Sequence, residues 1–211
     1  MGAIIGFVSQ KGGVGKSTLA RGVGREAAAN GLSVKIADLD VQQGTSVNWH
    51  RRRLAAGIEP IFSVEGFKTA AQALKLASQV DYLIIDGPAR ASAATLEIAR
   101  AAKLIVQPTG SSVDDLEPAV LTFHELVQAG IPRERLVFAL SRVGTDAEET
   151  EARTYIAKAG YVVLPGSIQE RAAYRQASNA GFSITETRYP QLNGRADSLI
   201  QAMVDRIDGA I

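Results

Sequence analysis

The chain has 211 residues, enough for one ordinary globular domain with a full core. Hydrophobic residues make up 46% and charged residues 21%, and a formal net charge of +1 is too small to advertise nucleic-acid binding by composition. The absence of cysteine excludes disulfides, iron–sulfur clusters and thiolate metal sites, and two histidines, His50 and His124, argue against a histidine-rich one.

No apolar run is long enough to span a bilayer. Met1 to Val8 is apolar, carries no basic leader or cleavage site, and runs straight into glycines. It therefore reads as a strand and not a signal peptide, which predicts a cytoplasmic protein. Ile4 to Val8 is the first buried strand. Ser17 to Asn30 has helical periodicity and stops at Gly31. Val34 to Ala37 is a strand, Gln43 to Ala56 a helix closed by Gly57, Ile61 to Val64 a short strand and Lys68 to Gln79 a helix. Tyr82 to Ile85 is a strongly apolar strand ending at Asp86. The rhythm then repeats: strand Leu104 to Val106, helix Asp115 to Ala129, strand Leu136 to Leu140, helix Ala147 to Ala159 and short strand Tyr161 to Leu164. Two helices follow, Gln169 to Asn179 and Gly194 to Ile207. Strands apolar throughout, separated by helices, predict an α/β fold: one doubly wound domain over 1–211, its mostly parallel sheet covered on both faces. In such sheets the site lies at the carboxyl ends of the strands.

Directly after the first strand stands Ser9-Gln10-Lys11-Gly12-Gly13-Val14-Gly15-Lys16-Ser17-Thr18. Glycines let backbone N–H groups turn inward around phosphate oxygens, and the helix that begins here points its positive end at the anion. The nucleotide-binding candidates are Gly12, Gly13, Val14, Gly15, Lys16, Ser17 and Thr18. Lys16 would reach the β- and γ-phosphates and the Ser17 hydroxyl would ligate Mg²⁺. The general phosphate-loop pattern has glycine where this chain has Gln10. What stands here is K-G-G-x-G-K-S, with an additional lysine at Lys11.

That variant resembles the deviant Walker A loop of the ParA/MinD family of ATPases, so the fold it implies is a P-loop NTPase of that type. The resemblance implies that Lys11 reaches across a dimer interface to the partner's nucleotide, coupling dimerisation to the triphosphate. Asp38-Leu39-Asp40, followed by Gln42, Gln43 and Asn48-Trp49, is similar to the family's D-x-D-P-Q segment, with Val41 in place of proline. By resemblance Asp40 orients or activates the attacking water and Asp38 supports the magnesium site; helix capping is the alternative for both. Asp86, ahead of Gly87-Pro88-Ala89, has the Walker B position and would hold Mg²⁺, usually through water. The catalytic set is thus Lys11, Lys16 and Asp40, and the metal set Ser17, Asp38 and Asp86. Arg142 follows the strand where relatives place adenine contacts; a surface arginine is the alternative. The family also carries a Pro-Thr loop like Pro108-Thr109 near the interface.

Basic residues near the C-terminus contribute to nonspecific DNA binding in ParA proteins, which makes Arg171, Arg175, Arg188 and Arg195 candidates, against a solvated helix face. Arg51-Arg52-Arg53 reads first as exposed charge. The resemblance, closest to the short, ParF-like proteins, implies ATP and Mg²⁺ as cofactors and an ATP-dependent homodimer on nonspecific DNA. A cargo-bound, ParB-like adaptor would stimulate hydrolysis. The cargo would be a plasmid, a chromosome region or a large protein body, and the location the nucleoid. A MinD-like membrane regulator is the alternative. Against it, Ser198 to Ile211 carries Asp205 and Asp208 with only Arg206, where a basic amphipathic helix would be needed, so no membrane partner is expected.

Overall fold

The computed structural model describes residues 2–88 and 93–209. Met1, Ala89 of the expected strand-end turn, and Ala210 and Ile211 of the tail lie outside the described residues. The strands are β1 (Ala3–Phe7), β2 (Val34–Asp38), β3 (Ser63–Gly66), β4 (Tyr82–Asp86), β5 (Leu104–Thr109), β6 (Leu136–Val143), β7 (Val162–Val163) and β8 (Ile168–Gln169). The helices are α1 (Lys16–Ala29), α2 (Thr45–Ala55), α3 (Ala70–Leu74), α4 (Ala93–Ala101), α5 (Val113–Gln128), α6 (Asp146–Lys158), α7 (Ala172–Asn179) and α8 (Pro190–Asp208). The strand order is β3-β2-β4-β1-β5-β6-β7, with β8 on β6, and each of these pairings is parallel.

Alternation along the strands divides the core in two. Ile5, Phe7, Ile36, Ile84 and Val106 face α1 and α8, while Ile4, Val8, Leu83, Ile85 and Ile105 face the layer of α3, α4 and α5. Each such side chain, buried completely, contributes about 1.5–3 kcal/mol. The parallel register also builds the site. Asp86 lies opposite Phe7 on one side and opposite Asp38 on the other, so both acids and the start of the phosphate loop share one row at the carboxyl edge. The order reverses at β1, which opens the crevice where ligands bind in doubly wound sheets.

Three segments differ from the sequence reading. Helix α4 was not anticipated, because its alanine-rich stretch shows little apolar contrast; docking of Ile98 and Ala99 into the core defines it. The expected helix over 68–79 breaks into α3 and a 3₁₀ turn, Ala77–Gln79. Helix α7 begins at Ala172 and not at Gln169, because Ile168 and Gln169 pair with β6 at Ser141 and Val143.

Candidate nucleotide site and basic face

The loop from Ser9 to Gly15 turns tightly into α1. Gly15, the N-cap of α1, has φ 108°, and a Cβ there would stand 2.7 Å from the Ser141 hydroxyl, so both conformation and space demand glycine. The first turn of α1 carries no acidic residue, which leaves its positive end for an anion. The two loop lysines diverge. Lys16 is buried, 3.5 Å from the Lys11 carbonyl, and desolvation lowers its pKa against the opposing pull of Asp86 and Asp40. Lys11 is exposed, and its ammonium pairs with Asp115 of α5. Val14 anchors the loop in the core, while Gly12 and Gly13 are exposed at its tip and Thr18 lines the adjoining cleft.

Ser17 and its neighbours sit between α1 and α2. The Ser17 hydroxyl lies 3.0 Å from that of Thr45. Ser46 donates to Asp86 Oδ2 at 2.7 Å, whereas the buried Asp86 Oδ1 has no hydrogen-bond partner among the described residues. Burial, then the neighbouring Asp38 charge, pushes the Asp86 carboxyl up to about 6. Asp38 is fully buried; Oδ2 accepts from the Ser46 and Val47 amides, and Oδ1 from that of Asp40. It therefore caps α2 from a neighbouring strand, and burial raises its pKa despite these bonds. Asp40 is half-exposed at the rim, where Oδ1 accepts from the Gln43 amide at 3.2 Å. Thr45 and Ser46 escaped the sequence reading, although their place at the N-terminus of a helix following an acidic strand end marks them as candidates.

Beside the loop opens a cleft of about 470 Å³, lined by Gly13, Thr18, Ser141, Arg142, Glu170 and Tyr174 among others. Arg142 has the left-handed φ of 59°. Its guanidinium donates to the Gly13 carbonyl at 3.3 Å and to Glu170 at 2.8 Å, and the Glu170 partner raises its pKa. A strained, anchored arginine over a cleft of this size, next to a phosphate-type loop, makes room for a nucleoside.

The family model of the CobQ/CobB/MinD/ParA nucleotide binding domain matches residues 5–184. The chain belongs to this family. No curated protein matches the sequence. Solved structures of the same fold include MinD from Pyrococcus horikoshii with Mg-ADP (19% identity, TM-score 0.77, covering 100% of this chain and 98% of that one). A variant of Cyanothece McdA with ATP is 17% identical at TM-score 0.72, covering 96% of each chain. A candidate plasmid partition protein of Borrelia burgdorferi with AMPPNP is 14% identical at TM-score 0.74, covering 98% of this chain and 100% of that one.

In this ParA/MinD-type site the residues present fit a magnesium ion. The unpartnered Asp86 Oδ1 and the Ser17 hydroxyl supply hard oxygen donors, and among the described residues no group of three or more acidic, histidine or cysteine side chains forms a cage. Magnesium held by few protein oxygens, with waters and phosphates completing the shell, needs no more.

The arginines of this ParA/MinD relative fall into two sets. Arg171 and Arg175 are exposed on α7 and its N-cap, and Arg188 stacks 4.9 Å from the Tyr189 ring across a groove that Arg171 shares. Arg175 also pairs with Glu170, the residue that holds Arg142. Arg195 lies on α8 beside α6, 3.8 Å from Asp146 and 3.7 Å from Glu149, apart from the groove that Arg171 and Arg188 share. The run at 51–53 needs correction: Arg51 and Arg52 are exposed, but Arg53 is fully buried. Its guanidinium donates to the carbonyls of Glu59, Pro60 and Gly181 and twice to Glu186.

Proposed function

We propose that this chain acts as one ParA-like ATPase domain that binds Mg-ATP, closes into a homodimer, holds nonspecific DNA, and so positions a plasmid, a chromosome region or a large protein body. The observation that carries the reading is the divergence of the two loop lysines. Lys16 points into the chain's own cradle, beside Asp86 and Asp40, whereas Lys11 stands exposed at the rim, held within the protomer by an ion pair to Asp115 of α5 that must open for it to meet a second protomer. In this reading Gly12 to Thr18 wrap the phosphates, Lys16 neutralises them, and Ser17 and Asp86 hold magnesium with Asp38 bracing the site through α2. Magnesium, when bound, neutralises charge building on the transferred phosphoryl group. Asp40, at the rim, orients the water, and Arg142 flanks the base.

The exposed set Arg171, Arg175 and Arg188 supports a DNA face, with Arg52, which reaches the Ser178 carbonyl of α7, at its edge. Arg195 contributes least. A cargo-bound, ParB-like adaptor would stimulate hydrolysis, and the working location is the cytoplasm, on the nucleoid. Membrane attachment through α8 is disfavoured, since Ala196, Leu199, Ile200, Met203 and Ile207 bury its apolar face in the core; no described helix is long and apolar enough to cross a membrane. The test is binding to random-sequence duplex DNA with ATP, with ADP and without nucleotide, at two salt concentrations. Salt-sensitive binding that requires ATP supports the reading. No binding in any state removes DNA from it.

A further inference from the structure

Arg21 is a buried cation that the phosphate-loop chemistry above does not use. It lies on α1 one turn after Ser17, on the same face, and is only 7% exposed. The two residues meet consecutive positions at the start of α2: Ser17 reaches Thr45, and Arg21 Nε donates to the Ser46 hydroxyl at 3.2 Å. A second arm of the guanidinium donates to the Ser178 hydroxyl on α7 at 3.2 Å, and its carbon sits 5.6 Å from the centre of the Trp49 ring.

The direction of this chain of hydrogen bonds is fixed by chemistry. A guanidinium only donates, so Ser46 must accept from Arg21 and give its single proton to Asp86, at 2.7 Å. Asp86 Oδ2 is thereby occupied, and among the described residues Oδ1 is the oxygen of that carboxylate left without a hydrogen-bond partner. Two further bonds hold the serine backbone and its neighbour, from the Ser46 and Val47 amides to Asp38. Position and polarity of the Ser46 hydroxyl are therefore both imposed from outside.

We infer that Arg21 is a positioning residue of the metal site, acting through Ser46 to fix the Asp86 carboxylate so that Oδ1 alone faces the metal. This rests on the nucleotide reading above. Partners that orient a metal ligand from behind typically govern affinity by about ten- to a hundredfold. Bonds to Ser178 also tie the metal carboxylate to α7, the helix that carries Arg175.

The experiment uses the full chain and two probes, a fluorescent N-methylanthraniloyl ATP and Mn²⁺ followed by electron paramagnetic resonance. Variants are Arg21→Met, Ser46→Ala and the double. In each single variant, half-saturation by Mn²⁺ with nucleotide present should rise about tenfold. The double variant should be no worse than either single one, and nucleotide affinity in EDTA should be unchanged. If Arg21→Met does not fold, Ser46→Ala decides alone, because the backbone bonds to Asp38 survive it. Unchanged Mn²⁺ affinity, additive effects, or a parallel loss of metal-free nucleotide affinity would each overturn the relay. A wild-type chain that binds no nucleotide with or without Mn²⁺ defeats the nucleotide reading itself, and the relay with it.

Discussion

Lys11 and Asp115 form an ion pair within one protomer, between the phosphate loop and the first turn of α5. If Lys11 works in trans, that pair must open before the dimer closes. Exposed pairs contribute about 0.2–1 kcal/mol and each protomer opens one, so Asp115→Asn should strengthen ATP-driven dimerisation by no more than about thirtyfold. Sedimentation with ATP reads this directly; a weaker dimer would assign Asp115 to the interface itself.

The Asp40 carboxylate lies at the rim, outside the buried network joining Asp38, Ser46 and Asp86, which Asp40 touches through its backbone amide alone among its described hydrogen bonds. Asp40→Ala should therefore leave nucleotide binding intact, stop turnover and accumulate an ATP-bound dimer. Phosphate release measured beside sedimentation checks it, and normal turnover would remove Asp40 from the chemistry.

The Asp86 carboxyl, pushed up to about 6 from 3.8, makes a signed pH prediction. Its folded pKa exceeds the unfolded one, so the native state binds the extra proton between about pH 4 and 6. Stability of the metal-free protein should fall as pH rises through that window, by up to about 3 kcal/mol from this group. Asp86→Asn should flatten the dependence and raise the neutral-pH melting point without metal, while abolishing metal-dependent nucleotide binding. A pH profile left unchanged by Asp86→Asn would contradict the burial argument.

On the basic face the structure ranks the candidates. Arg171→Ala and Arg188→Ala should each weaken DNA binding and reduce the slope of log affinity against log salt by about one, with ATP-driven dimerisation unchanged. Arg195→Ala should do neither, because Arg195 lies beside Asp146 and Glu149 of α6, apart from the groove of Arg171 and Arg188. Equal losses from all three would mean that the face extends around α8.

Arg53 separates structural from surface charge. Removing it leaves the largely buried Glu186 with Arg25 as its remaining ion-pair partner among the described residues. Arg53→Ala should lower stability by about 3–5 kcal/mol. Chemical denaturation measures this; a folded, unchanged protein with weakened DNA binding would return Arg53 to the surface set.

Much of this molecule is legible in one dimension. Apolar runs separated by amphipathic stretches specify a parallel layered sheet, because strands buried on both faces cannot afford polar alternation. The loop from Lys11 to Thr18 announces itself, since its glycines and lysine are contiguous and its work is done by backbone. Strand-end acids are visible for the same local reason. Helix α4 was hidden because alanine lacks contrast, and β8 because a two-residue strand exists only by virtue of its partner.

Tertiary structure alone decided which charges are free. Arg51, Arg52 and Arg53 are identical neighbours, yet helical geometry turns the third inward onto Glu186. Arg21 and Ser46 lie 25 positions apart and Ser46 and Asp86 lie 40 apart, and only the packing of α1 against α2 over the sheet makes them one chain of hydrogen bonds. Sequence determines which groups a chain possesses and their local conformation. Burial and partnership, which set whether a charge binds a ligand or braces the fold, belong to distances that sequence separation does not encode.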